Sequence, residues 1–231
     1  MKPLMKNSSK HSYSRSSKAG SEKHQQFQRL RYQIAVNAAR LMSEEGSDNF
    51  SCARKKAAQQ LGIQNEHAMP DNEEILAQLK IYQSLYSSAD QQKWLYELRK
   101  VALKAMRLFH AYRPRLTGSV LLGYAGEHSA IDIQLMADTP EEIATLLMDH
   151  NIPYQPGEWK LYFGIRNPQM LPYYQFYAGD HRINLITFSE KQQKTRPVSP
   201  LNGQSMQRAS IEQLETLLKN PENNSAEQAG C

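Results

Sequence analysis

The run Gly118-Ser119-Val120-Leu121-Leu122-Gly123-Tyr124-Ala125-Gly126-Glu127-His128-Ser129-Ala130-Ile131-Asp132-Ile133-Gln134-Leu135 is the stretch of this chain whose residue types and spacing point most directly to chemistry. Glycines such as Gly118 and Gly123 free the backbone for turns and for close approach to a ligand. Ser119, beside the first of them, adds a hydroxyl. Asp132 lies on an alternating stretch, where residues two apart share one face of a strand. His128, Ser129 and Asp132 have the residue types of a hydrolase triad. They are nearly consecutive and no strained strand-to-helix elbow exposes the serine, so they read as loop and strand residues. Elsewhere, Lys93, Lys100, Lys104 and Arg107 gather on one side of a helical stretch, and Arg113 and Arg115 lead into the glycines. These six form the candidate surface for an anionic ligand. Trp159, Tyr162, Phe163, Tyr173, Tyr174, Phe176 and Tyr177 could stack bases, although aromatics on adjoining strands are more often packing pairs.

The Gly118-Ser119 pair, the glycine four residues after Ser119, and Ser129 leading a strand with Asp132 resemble the signature of the DNA polymerase β-like nucleotidyltransferase superfamily. The resemblance spans residues 115–188 at most. It implies nucleotidyl transfer from a nucleoside triphosphate to an acceptor, with magnesium as cofactor. Gly118, Ser119 and Gly123 would hold phosphate oxygens. Two carboxylates two apart on a strand and a third on a neighbouring strand would hold the metal ions and activate the attacking hydroxyl. This chain departs from that pattern. Matched without gaps, the acid pair falls on Ala130 and Asp132; shifted by two, it falls on Asp132 and Gln134. The third acid position falls on Asn184, whose amide oxygen is a weak magnesium ligand and no general base. Asp132 is left as the catalytic and metal-binding carboxylate, while Glu127 and Asp138 read as solvated loop residues. Impaired or absent transfer is therefore the expectation. The alternatives are a nucleotide- or RNA-binding module without turnover and a helical adaptor.

Two kinds of element must position these residues. Phe27, Leu30, Ile34, Ala38 and Leu41 recur at helical spacing from about Gln25, and Gly46 stops that helix. A second helix ends at Gly62, a third opens on the Asp71/Glu74 pair, and a fourth covers about 91–110. From Pro114 the alternation predicts strands over 116–122, 131–137, 159–165, 173–177 and 182–188. A helix from Pro140 to about Asp149, capped by Thr139, interrupts them, and another over about 210–218 follows. The expected class is α+β: an N-terminal helical region followed by a nucleotidyltransferase-like mixed β-sheet with flanking helices. The expected segments are a disordered basic tail (1–24), a helical region (25–112), the α/β domain (113–219) and a disordered tail (220–231).

Charge and cysteine content narrow the class. The net charge of +5 is confined to residues 1–24, where six basic side chains face Glu22; the rest of the chain has 22 basic and 22 acidic residues. Such a tail, with the helix stripe, offers RNA a nonspecific, salt-sensitive contact. No apolar run approaches the roughly 20 residues that span a bilayer, and residues 1–24 contain no signal-peptide core. No membrane partner is expected. Two cysteines, Cys52 and Cys231, without a CxxC or a disulfide framework point to a reducing compartment, hence the cytoplasm.

Overall fold

The computed structural model describes residues 13–219 apart from 48, 87–88, 165–167, 191 and 193–194. Four helices come first: α1 (Tyr13–Glu44), α2 (Phe50–Gln60), α3 (Asn72–Tyr86) and α4 (Ala89–Leu108). They are followed by β1 (Arg115–Thr117), α5 (Gly118–Leu122), β2 (Ile131–Met136), α6 (Pro140–Asp149), β3 (Gln155–Tyr162), β4 (Pro168–Ala178), β5 (His181–Phe188) and α7 (Ile211–Lys219). The class is α+β, with an N-terminal helical region and a mixed sheet. Among the described residues no helix is long and apolar enough to cross a membrane.

Local signals place the helix starts. At α3, Asp71 Oδ1 accepts the Glu74 N–H (2.9 Å) and Glu74 Oε2 accepts the Asp71 N–H (2.7 Å), a reciprocal capping box. Thr139 and Glu142 make the same pairing at α6, with Pro140 in its first turn. The strands lie in the order β1-β2-β5-β4-β3. β2 and β5 run parallel and the other neighbours antiparallel. A parallel pair needs a crossover, and α6 with the β3–β4 hairpin lies between β2 and β5.

The apolar strand positions Leu116, Ile131, Ile133, Leu135, Ile183 and Leu185 form one face of the sheet. They pack with Leu98, Ala102, Met106 and Phe109 of α4, Ile143 and Leu147 of α6, and Leu214 of α7. Helices α1–α3 have a core of their own, built on Ile34, Ala38, Met42, Ala57, Ile75 and Leu79, and Tyr124 reaches into it.

Several boundaries differ from those expected. The apolar face of α4 packs on the sheet, while α1–α3 form their own cluster with Tyr124. The strand expected over 116–122 ends at Thr117: Gly118 adopts φ +75°, outside strand geometry, and residues 118–122 form a helical turn. β3 begins at Gln155 and accepts Pro156 because it is an edge strand. Helix α1 begins at Tyr13, so residues 13–24 of the expected tail are helical. Once a helix is nucleated, each further residue adds a hydrogen bond at small cost. Residues 1–12 and 220–231, expected to be disordered, lie outside the described residues, as does Cys231.

Candidate functional site

The second face of the sheet carries the polar residues. Thr117 is in register with Asp132 across β1 and β2, and Asp132 with Asn184 across β2 and β5. Period-two alternation places Ala130 and Gln134 on the same face. Asn184 Nδ2 donates to Asp132 Oδ1 at 2.8 Å. Gln134 Nε2 donates to the Met206 sulfur at 3.3 Å. Gln134 Oε1 and Asn184 Oδ1 are buried without a hydrogen-bond partner among the described residues. The floor of the site is thus one carboxylate flanked by two amides, with the Ala130 methyl one step away.

Gly118 is fitted to this floor in two ways. Its φ of +75° lies in the left-handed region, and a Cβ there would sit 2.8 Å from Asp132 Oδ2. The backbone entering α5 therefore rests on the Asp132 carboxylate, and buried Ser119 follows in the first turn. Gly123 has a different task from the phosphate contact expected of it. With φ +83° it terminates α5, its N–H donating to Ser119 O at 2.9 Å, and it does not line the cleft. Ser129 closes a turn: its Oγ accepts the Gly126 N–H at 3.0 Å.

The end of α5 depends on an arginine that sequence reading passed over. Arg99 of α4 is 4% exposed. Its Nε and Nη2 donate to the carbonyls of Val120 (3.2 Å) and Leu121 (3.3 Å), which have no intrahelical partner in so short a helix. Burial lowers its pKa to about 10, so it is charged at neutral pH. The signal was its place directly after Leu98 on the apolar side of α4. Arg99→Met keeps much of the volume and removes both donors. We expect a stability loss of about 1–3 kcal/mol, read as a lower urea midpoint; an unshifted midpoint would mean that water serves the two carbonyls equally well.

The floor opens into a cleft of about 530 Å³. Thr117, Gly118, Ser119, Asp132, Gln134 and Asn184 line it, together with the cations Lys160 and Arg182. One wall is the start of α2, at Asn49, Phe50 and Ser51. Another is a strap over 196–209 that crosses from β3 to β1. Val198 N–H donates to Tyr162 O (2.7 Å), Thr117 Oγ1 donates to Gln207 O (3.1 Å), and Leu116 and Ala209 pair through both backbone bonds at 2.9 Å. Asn72 Nδ2 of α3 holds the strap at Pro200 O (2.7 Å). The helical region meets the sheet half where Gly46 and Gly126 pack backbone to backbone, with His128 N–H donating to Gly46 O at 3.2 Å. Neither the strap nor this contact has a local sequence signature.

The expected anionic-ligand surface is broken up. Lys93, Lys100, Lys104 and Arg107 belong to α4, which covers the apolar sheet face, opposite Asp132. Lys100 pairs with Glu97 (3.0 Å) and Arg107 with Glu215 of α7 (2.7 Å). Arg113 is exposed in the turn after α4. Arg115 alone of the six lies on the site face, in register with Gln134. The aromatic series is largely consumed in packing, with edge-on pairs Tyr154–Tyr174 and Trp159–Tyr173 (both 5.3 Å) and Phe163–Phe188 (6.2 Å); Trp159 and Tyr162 also line the cleft.

A two-metal centre does not fit these residues. Either acid register leaves Asp132 as the one carboxylate, and opposite it across β2 and β5 stands the neutral amide of Asn184 in place of a third acid. No group of three or more His, Cys, Asp or Glu side chains suited to a metal occurs among the described residues. No protein-family model, curated protein or solved structure matches the chain.

Proposed function

We propose that this protein binds a nucleotide in a nucleotidyltransferase-like cleft and carries out magnesium-dependent nucleotidyl transfer slowly or not at all. The observation that carries this reading is the 2.8 Å hydrogen bond from Asn184 Nδ2 to Asp132 Oδ1. It puts a neutral amide where the resemblance expects a third acid, so one carboxylate is left to hold divalent metal. The features suited to binding remain: the Gly118 backbone and Ser119 beside Asp132, Lys160 and Arg182 on the lining, and a volume within the range of small-molecule sites. A ligand's N–H groups are complementary to the acceptor-rich floor, and its phosphates to the cations.

Calorimetric titration with a nucleoside triphosphate, in magnesium and again in EDTA, tests this. Saturable binding is expected in both, with affinities within about threefold of each other. Robust magnesium-dependent transfer by the unmodified protein, abolished by Asp132→Ala, would overturn the reading.

A further inference from the structure

Arg115, Arg196 and Arg208 come together outside the cleft lining, at the β1 end of the strap. The reciprocal Leu116–Ala209 pairing lays residues 208–210 along the outer edge of β1. In that antiparallel pairing Arg208 falls on the same side as Thr117, and Arg115, two residues before Thr117, shares that side. Thr117 and Gln207, the neighbours of this group, line the cleft. Arg196 reaches the same end because the strap doubles back on itself: Val198 pairs with Ser205 and the Met206 N–H donates to Pro197 O at 2.8 Å, which sets Arg196 beside Gln207.

No acid pairs with any of the three guanidinium groups among the described residues. Burial lowers the pKa of Arg208, and the charges of Arg196 and then Arg115 lower it further. The nearby carboxylate is Glu212, which faces Arg115 and accepts a hydrogen bond from the Ser210 hydroxyl at 2.6 Å. Three cations against one anion leave an excess of positive charge, held on a partly buried base. Ion pairs elsewhere in the chain show what such arginines do when an acid is in reach: Arg31 with Glu74 and Arg107 with Glu215, both at 2.7 Å. Like charges held together without acids are costly unless an anion neutralises them, and the planar guanidinium matches phosphate geometry.

We propose that Arg115, Arg196 and Arg208 form an anion subsite that takes a phosphate group at the strap end of the cleft. The phosphate belongs either to a nucleotide seated in the cleft or to the phosphodiester backbone of a single strand leaving it. The inference builds on the cleft reading, but its residues lie outside the lining and are tested separately.

The test compares the full chain with Arg196→Gln, Arg208→Gln and the double variant. Each is titrated with a labelled ten-residue oligouridylate and with a nucleoside triphosphate over a range of salt. Arg196 is exposed, so its variant retains the fold even if Arg208→Gln is less stable. Oligouridylate affinity is expected to fall about fivefold or more per substitution, and the salt slope to drop by about 0.7 for each lost contact. An unchanged triphosphate affinity then assigns the subsite to a strand's phosphodiester, and a parallel fall assigns it to the bound nucleotide's own phosphate. If the double variant binds both ligands as the parent does, the subsite is refuted while the cleft reading stands. A parent that binds the oligonucleotide but no nucleotide refutes the cleft reading alone, and one that binds neither refutes both.

Discussion

Gly126→Ala is expected to lower stability by about 3 kcal/mol or more, because the added methyl has nowhere to go. Its Cβ would lie 2.5 Å from Gly46 Cα and 2.7 Å from Gly46 C and O. These are backbone atoms in a turn that is itself tied down, with the Gly46 carbonyl accepting from His128. The carbonyl of Gly126 in turn accepts the Trp94 indole N–H at 3.3 Å. Relief requires the helical region to move off the sheet half, which also shifts the start of α2 away from the cleft. Gly126 does not have a positive φ, so the penalty is steric and not conformational. Gly62→Ala separates the two effects: Gly62 has φ +66° but open space around it, and its loss should stay near 1–2 kcal/mol. Urea unfolding of the two variants decides the matter; equal losses would mean that the Gly46–Gly126 contact yields easily.

Asn184→Asp, close to isosteric, should be the most pH-sensitive substitution in the protein. It replaces the amide that donates to Asp132 with a second carboxyl at the same register position. Two carboxylates in hydrogen-bond range cannot both ionise cheaply, so the new group's folded pKa lies above its unfolded value of about 3.9. Below that value the protonated acid donates to Asp132 much as the amide does, and the variant should match the parent. As pH rises through the raised folded pKa that equivalence is lost, and at pH 7 the deficit should reach about 2–4 kcal/mol. Thermal midpoints of parent and variant from pH 3.5 to pH 8 would show it as diverging curves. Curves that stay parallel would mean that the Asp132 carboxylate does not face residue 184. Magnesium should return only part of the loss, since Ala130 and Gln134 supply no further charge. Full recovery, with transfer activity appearing, would identify the floor as a metal centre one residue away from function.

Much of the frame was legible in the sequence because it is written in local chemistry. The caps at Asp71 and Thr139, the period of α4 and the alternation of β2 and β5 act within a turn or a strand, and each element formed where its pattern lay. Asn184 was singled out only through the resemblance, which puts a third acid position on a strand neighbouring that of Asp132; the register across β2 and β5 brings the two together. Where local signals compete, sequence reading misjudged: Gly118 sat in an apolar run that resembles a strand, and its positive φ decided for a turn. The Lys/Arg stripe of α4 shows a further limit. Periodicity says that those side chains share a face, but not that α4 would lie across the sheet from Asp132.

The cleft itself has no counterpart in any local stretch of sequence. Its walls come from Asn49 and Phe50, its strap is held by Asn72 reaching Pro200 across 128 positions, and its seam closes at Gly46 and Gly126. The arginine group depends on Ala209 pairing with β1. The residue types of this chain set which groups could donate, accept or carry charge. Which of them meet was set by the burial of two apolar surfaces, that of α1–α3 and that of the sheet, since packing joins segments that no local pattern relates.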